Sequence, residues 1–194
     1  MSVSSQKCYI CGCTPKEMND KTKLESKIDN PESNQYGLSP LHARIRSFEC
    51  LLRIAYRLEV NKWQIRSTDD KQNVAERKKS VQEMFRDRMG LLVDVVKVGY
   101  GTTNDGNISC RFFFENPSES TAITGIDETL IKDFAILLQA VFSGYEIDEN
   151  AFKNHATRTL ERYLNLYPWY CIGHRIINHA ILPIGQFTED AQEC

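Results

Sequence analysis

Long apolar runs are missing from this sequence. No stretch approaches the ~18 consecutive apolar residues of a membrane-spanning helix, and the opening Met-Ser-Val-Ser-Ser-Gln-Lys has no apolar run of the kind a secretory signal needs. We therefore expect neither a membrane span nor a signal peptide. Proline and glycine are also few, at 6 and 10 of 194 residues, while 41% of the residues are hydrophobic. This composition is typical of a folded chain, and the length fits one domain or one domain with a small appendage.

Cysteine is present in an odd number, seven, and two of the seven form the tight pair Cys8-Tyr9-Ile10-Cys11. In a chain without a secretory signal, this spacing favours a metal over a disulfide. A Cys-x2-Cys turn supplies two thiolates to one Zn²⁺, so two further ligands are needed. Cys13 is too close to both thiolates to complete the tetrahedron comfortably, although it could compete with one of them.

Two histidines near the other end of the chain are candidates for the missing ligands. His174 and His179 have the x4 spacing that is usual for a histidine pair on zinc. Together with Cys8 and Cys11 they would form a Cys2His2 site. Two alternatives stay open, because the cysteines could be an unligated thiol pair and the histidines could be satisfied polar residues on the last helix. A structural zinc contributes about 10–16 kcal/mol of apparent folding free energy in small finger peptides.

The apolar spacing predicts a mainly α-helical fold in two parts. Residues 1–36 would be a cysteine-bearing N-terminus followed by a polar connector, and residues 37–194 a helical domain. The spacing of apolar residues by three and four predicts helices over 41–58, 69–89, 127–142 and 148–167. A short helix would start at Asn116-Pro117 and end at Gly125, and two last helical pieces would cover 173–182 and 188–194.

The segment from 91 to 110 predicts a short extended piece and a structured loop. The loop from Gly99 to Asn107 is dense in turn formers. Its backbone N–H groups could hold a phosphate, but it lacks a Walker lysine and the dinucleotide fingerprint. A conformational role for its glycines is therefore favoured. Asp105 is an acid in a suggestive context, although the sequence identifies no partner for it.

Three further features have structural explanations. Cys50 and Cys110 have no histidine nearby in the sequence, so neither predicts a nucleophile. We interpret the run from Phe112 to Phe114 as a core anchor. The basic run from Arg77 to Lys79 is interleaved with acidic residues, and pairing along one helix explains it adequately.

Charge is unevenly distributed along the chain, whose net charge is −2. Residues 1–36 carry five basic and five acidic residues, residues 37–114 carry 14 against 9, a net of +5, and residues 115–194 carry 5 against 12, a net of −7. Solvated helix faces explain this pattern adequately, and the basic middle is far from a nucleic-acid arm. Several basic residues of the first predicted helix lie largely off its apolar stripe: His42, Arg44, Arg46, Arg53 and Arg57.

The order of several motifs is similar to that of a known group of proteins. These motifs are Cys8-x2-Cys11, Gly37-Leu38-Ser39-Pro40-Leu41-His42-Ala43-Arg44-Ile45-Arg46, Thr103-Asn104-Asp105-Gly106-Asn107, Arg111-Phe112-Phe113, Tyr167-Pro168-Trp169-Tyr170 and Leu182-Pro183-Ile184-Gly185. From Cys8 to Glu193 the chain resembles uncharacterised, transposon-derived animal proteins. More distantly, it resembles the C-terminal part of the Transib transposases and of the catalytic subunit of the V(D)J recombinase.

This resemblance implies a fold and a set of site residues. One zinc would be bound by Cys8, Cys11, His174 and His179, with a helical insertion between the two pairs. Glu193 would match the last of three carboxylates that hold two Mg²⁺ ions in an RNase H-like nuclease. The sheet with the other two carboxylates has no counterpart in this sequence, and one carboxylate cannot hold two Mg²⁺ ions. The expected fold is thus a helical insertion-type domain stapled by zinc, lacking most of the RNase H-like sheet.

The function implied by the resemblance is that of a fragment of a DDE-type DNA transposase or recombinase. We expect the chain alone to be catalytically inactive, intracellular and nuclear, with structural Zn²⁺, and with Mg²⁺ only in a complete nuclease. Its expected partners are DNA, bound weakly by the basic middle, or else a second copy or a protein that covers the missing nuclease half. The alternatives are a zinc-stabilised protein-interaction module with no DNA role and a small-molecule enzyme that uses the Gly99–Asn107 loop.

Overall fold

The computed structural model describes residues 14, 17, 19, 20, 22, 23, 39–99 and 101–170. The chain divides into two compact units. By position along the sequence, we call Leu41–Ala135 the inner unit, and Met1–Pro40 together with Ile136–Cys194 the outer unit. The predicted division between residues 36 and 37 stays a prediction.

The described residues are mainly helical, which confirms that part of the sequence prediction. The helices are α1 (Pro40–Ala55), α2 (Thr68–Met89), α3 (Gly106–Cys110), α4 (Pro117–Thr124), α5 (Glu128–Phe142) and α6 (Glu149–Leu166). A π-helical turn over Arg111–Glu115 continues α3. A small antiparallel hairpin joins β1 (Val96–Lys97) to β2 (Gly101–Thr102), with Val96 opposite Thr102. None of the helices in this described part combines the length and apolar character that crossing a bilayer requires.

Short polar side chains fix where the helices begin. The side-chain oxygen of each capping residue accepts a hydrogen bond from the backbone N–H three positions later, which satisfies a group that the helix itself leaves unpaired. The capping residues are Ser67, Asn116, Asp127 and Asp148. The predicted helix starts at Asn116, Asp127 and Asp148 are thereby confirmed. The predicted end of α4 at Gly125 is also confirmed, because this residue has a φ of 76° and donates its N–H to Thr121 O.

An aromatic cluster forms the core of the inner unit. The buried ring of Phe112 lies 5.0 Å from Phe48 and 6.2 Å from Phe85, measured between ring centroids. Phe113 is also buried and meets Phe112 edge-on at 5.0 Å. The core anchor predicted from the sequence is correct for these two residues and wrong for Phe114, which is exposed. Successive side chains of a helical turn point in different directions, and in this π-helical turn that of Phe114 points towards solvent.

Buried polar groups beside this cluster satisfy one another. Ser120 Oγ donates to Phe112 O at 2.8 Å, and Thr124 Oγ1 donates to Ser120 O at 2.6 Å. Thr124 Oγ1 also accepts from the N–H of Ile126 at 3.2 Å. An unsatisfied polar group in a core costs about 1–3 kcal/mol. These hydrogen bonds avoid that cost at the buried end of α4.

One basic residue of α1 corrects the sequence interpretation. Arg44 is buried, although it was placed off the apolar stripe. It lies four residues before Phe48 and seven before Leu51, and these spacings put all three residues on one helix face. A Cβ on Gly106 would lie 3.3 Å from Arg44 Nη2 and 2.6 Å from Leu41 Cδ1, so this face of α1 packs closely against the start of α3, and the Leu41 side chain would have to move for a larger residue to fit. The helix also ends at Ala55, earlier than the predicted end at Leu58.

The outer unit contains α6 and the turn that follows it. Phe152, Ala156, Leu160 and Tyr163 are buried at spacings of four, four and three residues. The helix ends just before Pro168, where the sequence predicted. Tyr167 and Tyr170 in the following turn are buried as well.

Candidate functional site

The predicted metal and catalytic residues lie outside the described residues. This applies to Cys8, Cys11, His174, His179 and Glu193. The zinc site and the remnant carboxylate therefore stay predictions. Among the described residues, no group of three or more His, Cys, Asp or Glu side chains is arranged to hold a metal ion.

A polar contact in the outer unit joins the early part of the chain to the turn after α6. Asn19 Nδ2 donates to Pro168 O at 3.1 Å and to Tyr170 O at 2.9 Å. The buried Tyr163 hydroxyl also donates to Tyr170 O. We call these four residues the Asn19 junction. It connects residues that are 149 and 151 positions apart.

The turns on both sides of the junction have local support. Thr14 donates its N–H and its hydroxyl to Glu17 Oε2, each at 2.9 Å, and Asp20 donates its N–H to Glu17 O at 3.0 Å. On the other side, the ring of Tyr170 is buried and meets Trp169 edge-on at 5.7 Å. The sequence analysis missed Asn19, because an asparagine in a polar connector gives no signal of a distant partner.

A second polar cluster holds the base of the hairpin in the inner unit. Lys78 Nζ lies 2.6 Å from Asp94 Oδ2. Gln82 Nε2 donates to the carbonyls of Val93 and Asp94, at 2.9 and 3.1 Å. Asn104 Oδ1 accepts from the N–H of Asp94 at 2.8 Å. These four side chains, of Lys78, Gln82, Asp94 and Asn104, form what we call the hairpin clamp, which ties the hairpin to α2.

Tyr56 extends the clamp. Its ring is buried, and Lys78 Nζ lies 5.6 Å from the ring centroid. Burial raises the pKa of Tyr56 far above its ordinary value, and the negative charge of Asp94 raises this pKa further. A phenol with a raised pKa keeps its proton at neutral pH. The contacts of this cluster are those that hold the hairpin against α2.

The hairpin carries apolar side chains into solvent. Val96 and Val98 are 74% and 91% exposed, and Leu92 and Val95 are exposed as well. Contiguous exposed apolar residues on a soluble domain mark contact surfaces more often than single ones do. We call these four residues the valine hairpin.

A basic stripe runs along the solvent face of α1. All residues of this helix are described, and its exposed side chains are those of His42, Arg46 and Arg53. Their spacing of four and seven residues places them within about 40° of one another around the helix axis. Arg57 is half-buried and follows four residues after Arg53, where the chain continues in turns. The name basic stripe denotes His42, Arg46, Arg53 and Arg57 below.

Arg46 and Arg53, the two exposed arginines of the stripe, are little neutralised by ion pairs with described residues. Arg46 Nη1 pairs with Glu49 Oε2 at 2.8 Å, and the Arg46 side chain remains 64% exposed. Arg53 makes no ion pair with any described residue. The sequence pattern predicts the stripe, because these four residues lie largely off the apolar positions of the first helix.

The basic run of α2 behaves differently from its predicted pairing along the helix. Lys79 does pair with Glu83, at 4.0 Å. Lys78 instead reaches Asp94, and Arg77 Nη2 donates to Thr124 O at 3.2 Å, at the end of α4. Both side chains are half-buried and long enough to reach the neighbouring elements. Pairing within the helix is therefore wrong for two of the three residues.

The remaining candidates are accounted for locally. The described residues of the Gly99–Asn107 loop form part of the hairpin and the start of α3. Asp105 Oδ1 accepts from the N–H of Ile108 at 2.9 Å and so caps that helix. Cys50 is buried and Cys110 half-buried, and both are free thiols.

No protein-family model matches this sequence, and no curated protein matches it either. A functional assignment must therefore be argued from the residues and their geometry.

Proposed function

We propose that this chain is the zinc-bound helical region of a DDE-type DNA transposase or recombinase. It binds one structural Zn²⁺ through Cys8, Cys11, His174 and His179, contacts DNA weakly, and does not cut DNA by itself. The motif order of the sequence and the mainly helical fold support this proposal. The observation that carries it is the Asn19 junction.

The junction bears on the zinc site through the reach of the chain. Asn19 lies eight positions after Cys11, and Tyr170 lies four positions before His174. A chain spans at most about 3.6 Å per residue, so eight and four residues reach at most about 29 and 14 Å. Because Asn19 and Tyr170 are hydrogen-bonded to each other, the intervening chain is long enough for Cys11 and His174 to reach a common site from the junction. This reach is compatible with a zinc site shared by the two segments and supports the proposal.

The donor set suits a structural role. Two thiolates and two imidazoles are a preferred tetrahedral set for Zn²⁺, and four protein ligands leave no open position for a substrate. The metal would supply a cross-link between two distant segments and no chemistry. Glu193 alone cannot hold the two Mg²⁺ ions of a nuclease, so the proposed chain is non-catalytic.

Metal content of the purified chain tests the proposal directly. By inductively coupled plasma mass spectrometry, we expect one zinc per chain in the wild type. We expect that zinc to be lost in Cys8→Ser and in His179→Ala. Cys110→Ser is the matched control, since Cys110 is a free thiol of the inner unit, and it should keep the metal. Full zinc retention in either ligand variant would contradict the proposed site.

The folding of the outer unit provides a second readout of the same experiment. Chelation of the zinc should speed hydrogen exchange of the α6 amides, because the metal stabilises only the folded arrangement of its ligands. Exchange in the aromatic core of the inner unit should be unchanged. Equal acceleration in both units would mean that the metal is not a local cross-link.

A second candidate function is a zinc-stabilised protein-interaction module without a DNA role. The valine hairpin favours it, because apolar side chains held in solvent by the hairpin clamp suit a protein contact. The two candidates differ in one measurable property, which is salt-dependent binding to DNA.

A further inference from the structure

We propose that the basic stripe of α1 docks the phosphate backbone of double-stranded DNA. This inference rests on the proposed function, because it assigns the DNA contact of that function to one helix face. From the sequence we expect a weak DNA contact somewhere in the basic middle, residues 37–114, and the geometry and charge of the stripe narrow that contact to one face of α1.

The exposed positions of α1 carry only histidine and arginine side chains. The other faces of the helix are fixed in the core by buried residues such as Phe48, Leu51 and Ile54. The helix is therefore held firmly, and its exposed positions are occupied by one histidine and two arginines. A surface whose exposed positions carry histidine and arginine but no carboxylate is suited to binding an anion.

The stripe is long enough to follow several phosphates of one DNA strand. His42 and Arg53 are eleven residues apart, which corresponds to about 16 Å along a helix that rises 1.5 Å per residue. One strand of duplex DNA places a phosphate every 3.4 Å along the axis, so this length matches about five phosphates. Arginine suits such a contact because its planar guanidinium can donate two parallel hydrogen bonds to a phosphate.

The charge of the stripe is only partly offset by local pairing. Glu49 offsets part of the charge of Arg46, whose side chain is 64% exposed and accessible to another anion. Arg53 adds a positive charge that no ion pair with a described residue offsets. The exposed face of α2 is different because it also carries exposed carboxylates, such as those of Glu83 and Asp87, whereas the exposed positions of α1 carry none. The stripe therefore suits a polyanion better than the exposed face of α2 does.

The expected recognition is independent of DNA sequence. Specific base contacts typically pair arginine with guanine or an amide side chain with adenine in the major groove, whereas a row of arginines at helical spacing suits the repeating backbone. Phosphate contacts release counterions, so the logarithm of the binding constant should fall linearly with the logarithm of salt concentration.

Fluorescence anisotropy of a labelled random-sequence DNA duplex, measured over a potassium chloride series, tests the inference. Each arginine that contacts a phosphate contributes about −0.9 to the salt slope, so Arg53→Gln should lower its magnitude by about 0.9 and Arg46→Gln/Arg53→Gln by about 1.8. Affinity at low salt should fall by a similar factor for duplexes of unrelated sequence. Arg86→Gln on α2 is the matched control and should leave the slope unchanged.

Each variant is first checked for zinc content and for thermal unfolding, because Arg53 lies in the last turn of α1. An unchanged salt slope in a folded double variant overturns the inference, as does a wild type that binds no duplex at low salt. A double variant that loses heparin binding but keeps DNA binding also overturns the inference, since the stripe would then bind a polyanion other than DNA. A wild type without zinc whose DNA binding depends on the stripe would overturn the proposed zinc site and leave this inference standing.

Discussion

The two units differ in how their parts are connected along the chain. The inner unit is built from one continuous segment, and its aromatic core joins residues of successive helices. The outer unit combines an early and a late segment of the chain, and Asn19 of the first bonds Tyr170 of the second across 151 positions. Closing a long loop costs conformational entropy, so cross-links that close long loops stabilise most in principle. By this reasoning, the proposed zinc cross-link would stabilise the outer unit, whose segments lie far apart in the sequence.

The largest effect that tests this comparison is expected in the aromatic core. Phe112→Ala removes the ring that contacts Phe48, Phe85 and Phe113. We expect a loss of about 3–5 kcal/mol in the free energy of unfolding, because a large cavity forms where the neighbours cannot collapse fully. Urea denaturation measures this loss.

The control for this substitution is Phe114→Ala, two positions away. Phe114 is 38% exposed, so its truncation should cost far less than that of Phe112. Hydrogen exchange should show faster opening within the inner unit, with α6 of the outer unit unaffected. Equal losses in the two variants would show that packing does not govern the inner unit.

A smaller effect is expected at the junction of the outer unit. Asn19→Asp replaces an amide that donates to two carbonyls with a carboxylate that faces the same carbonyl oxygens. We expect a loss of about 2 kcal/mol, since two hydrogen bonds are lost and a polar group is left without its donor. Hydrogen exchange of the α6 amides should report this loss.

Asn73→Asp on the exposed face of α2 is a control of the same chemistry. It should leave the exchange rates of α6 unchanged. If Asn19→Asp has no more effect than this control, the junction does not hold the outer unit together. If it accelerates exchange equally in both units, the two are not independent in stability.

The features that the sequence predicted correctly are local ones. Asn116, Asp127 and Asp148 cap helices through bonds to residues three positions away, and Gly125 ends α4 because its positive φ suits glycine. The apolar spacing of α6 likewise depends only on residues within one helix. Each of these outcomes is decided within a few positions, where residue type and spacing contain the necessary information.

The features that the sequence missed depend on distant partners. Lys78 was expected to pair along α2, yet it reaches Asp94, whose place is set by the hairpin. Asn19 gave no signal, because an amide has many potential partners and the fold selects one. The basic residues of α1 lie between these cases: the periodicity of the stripe is local, while the burial of Arg44, which is not part of the stripe, depends on how α1 packs against Gly106 at the start of α3.

The smallest predicted effect lies in the hairpin clamp, where it tests whether the inner unit depends on charge as well as on packing. Burial raises the pKa of Tyr56, and the negative charge of Asp94 raises this pKa further. Above about pH 10, the ordinary pKa of a tyrosine, the unfolded chain loses the phenolic proton while the folded chain retains it. Stability should therefore be complete below about pH 10 and should fall as the pH rises further.

Asp94→Asn should reduce this high-pH loss, because it removes one cause of the raised pKa while asparagine tolerates the positive φ of 53° at this position. Near neutral pH the cost should stay below about 1 kcal/mol, since the pair with Lys78 is partly exposed. Urea unfolding at neutral and alkaline pH measures both quantities, and Tyr56→Phe, which has no proton to lose, sets the limit. If Asp94→Asn loses stability at high pH as steeply as the wild type, burial alone keeps Tyr56 protonated, and the inner unit is held by packing without help from the charge of its clamp.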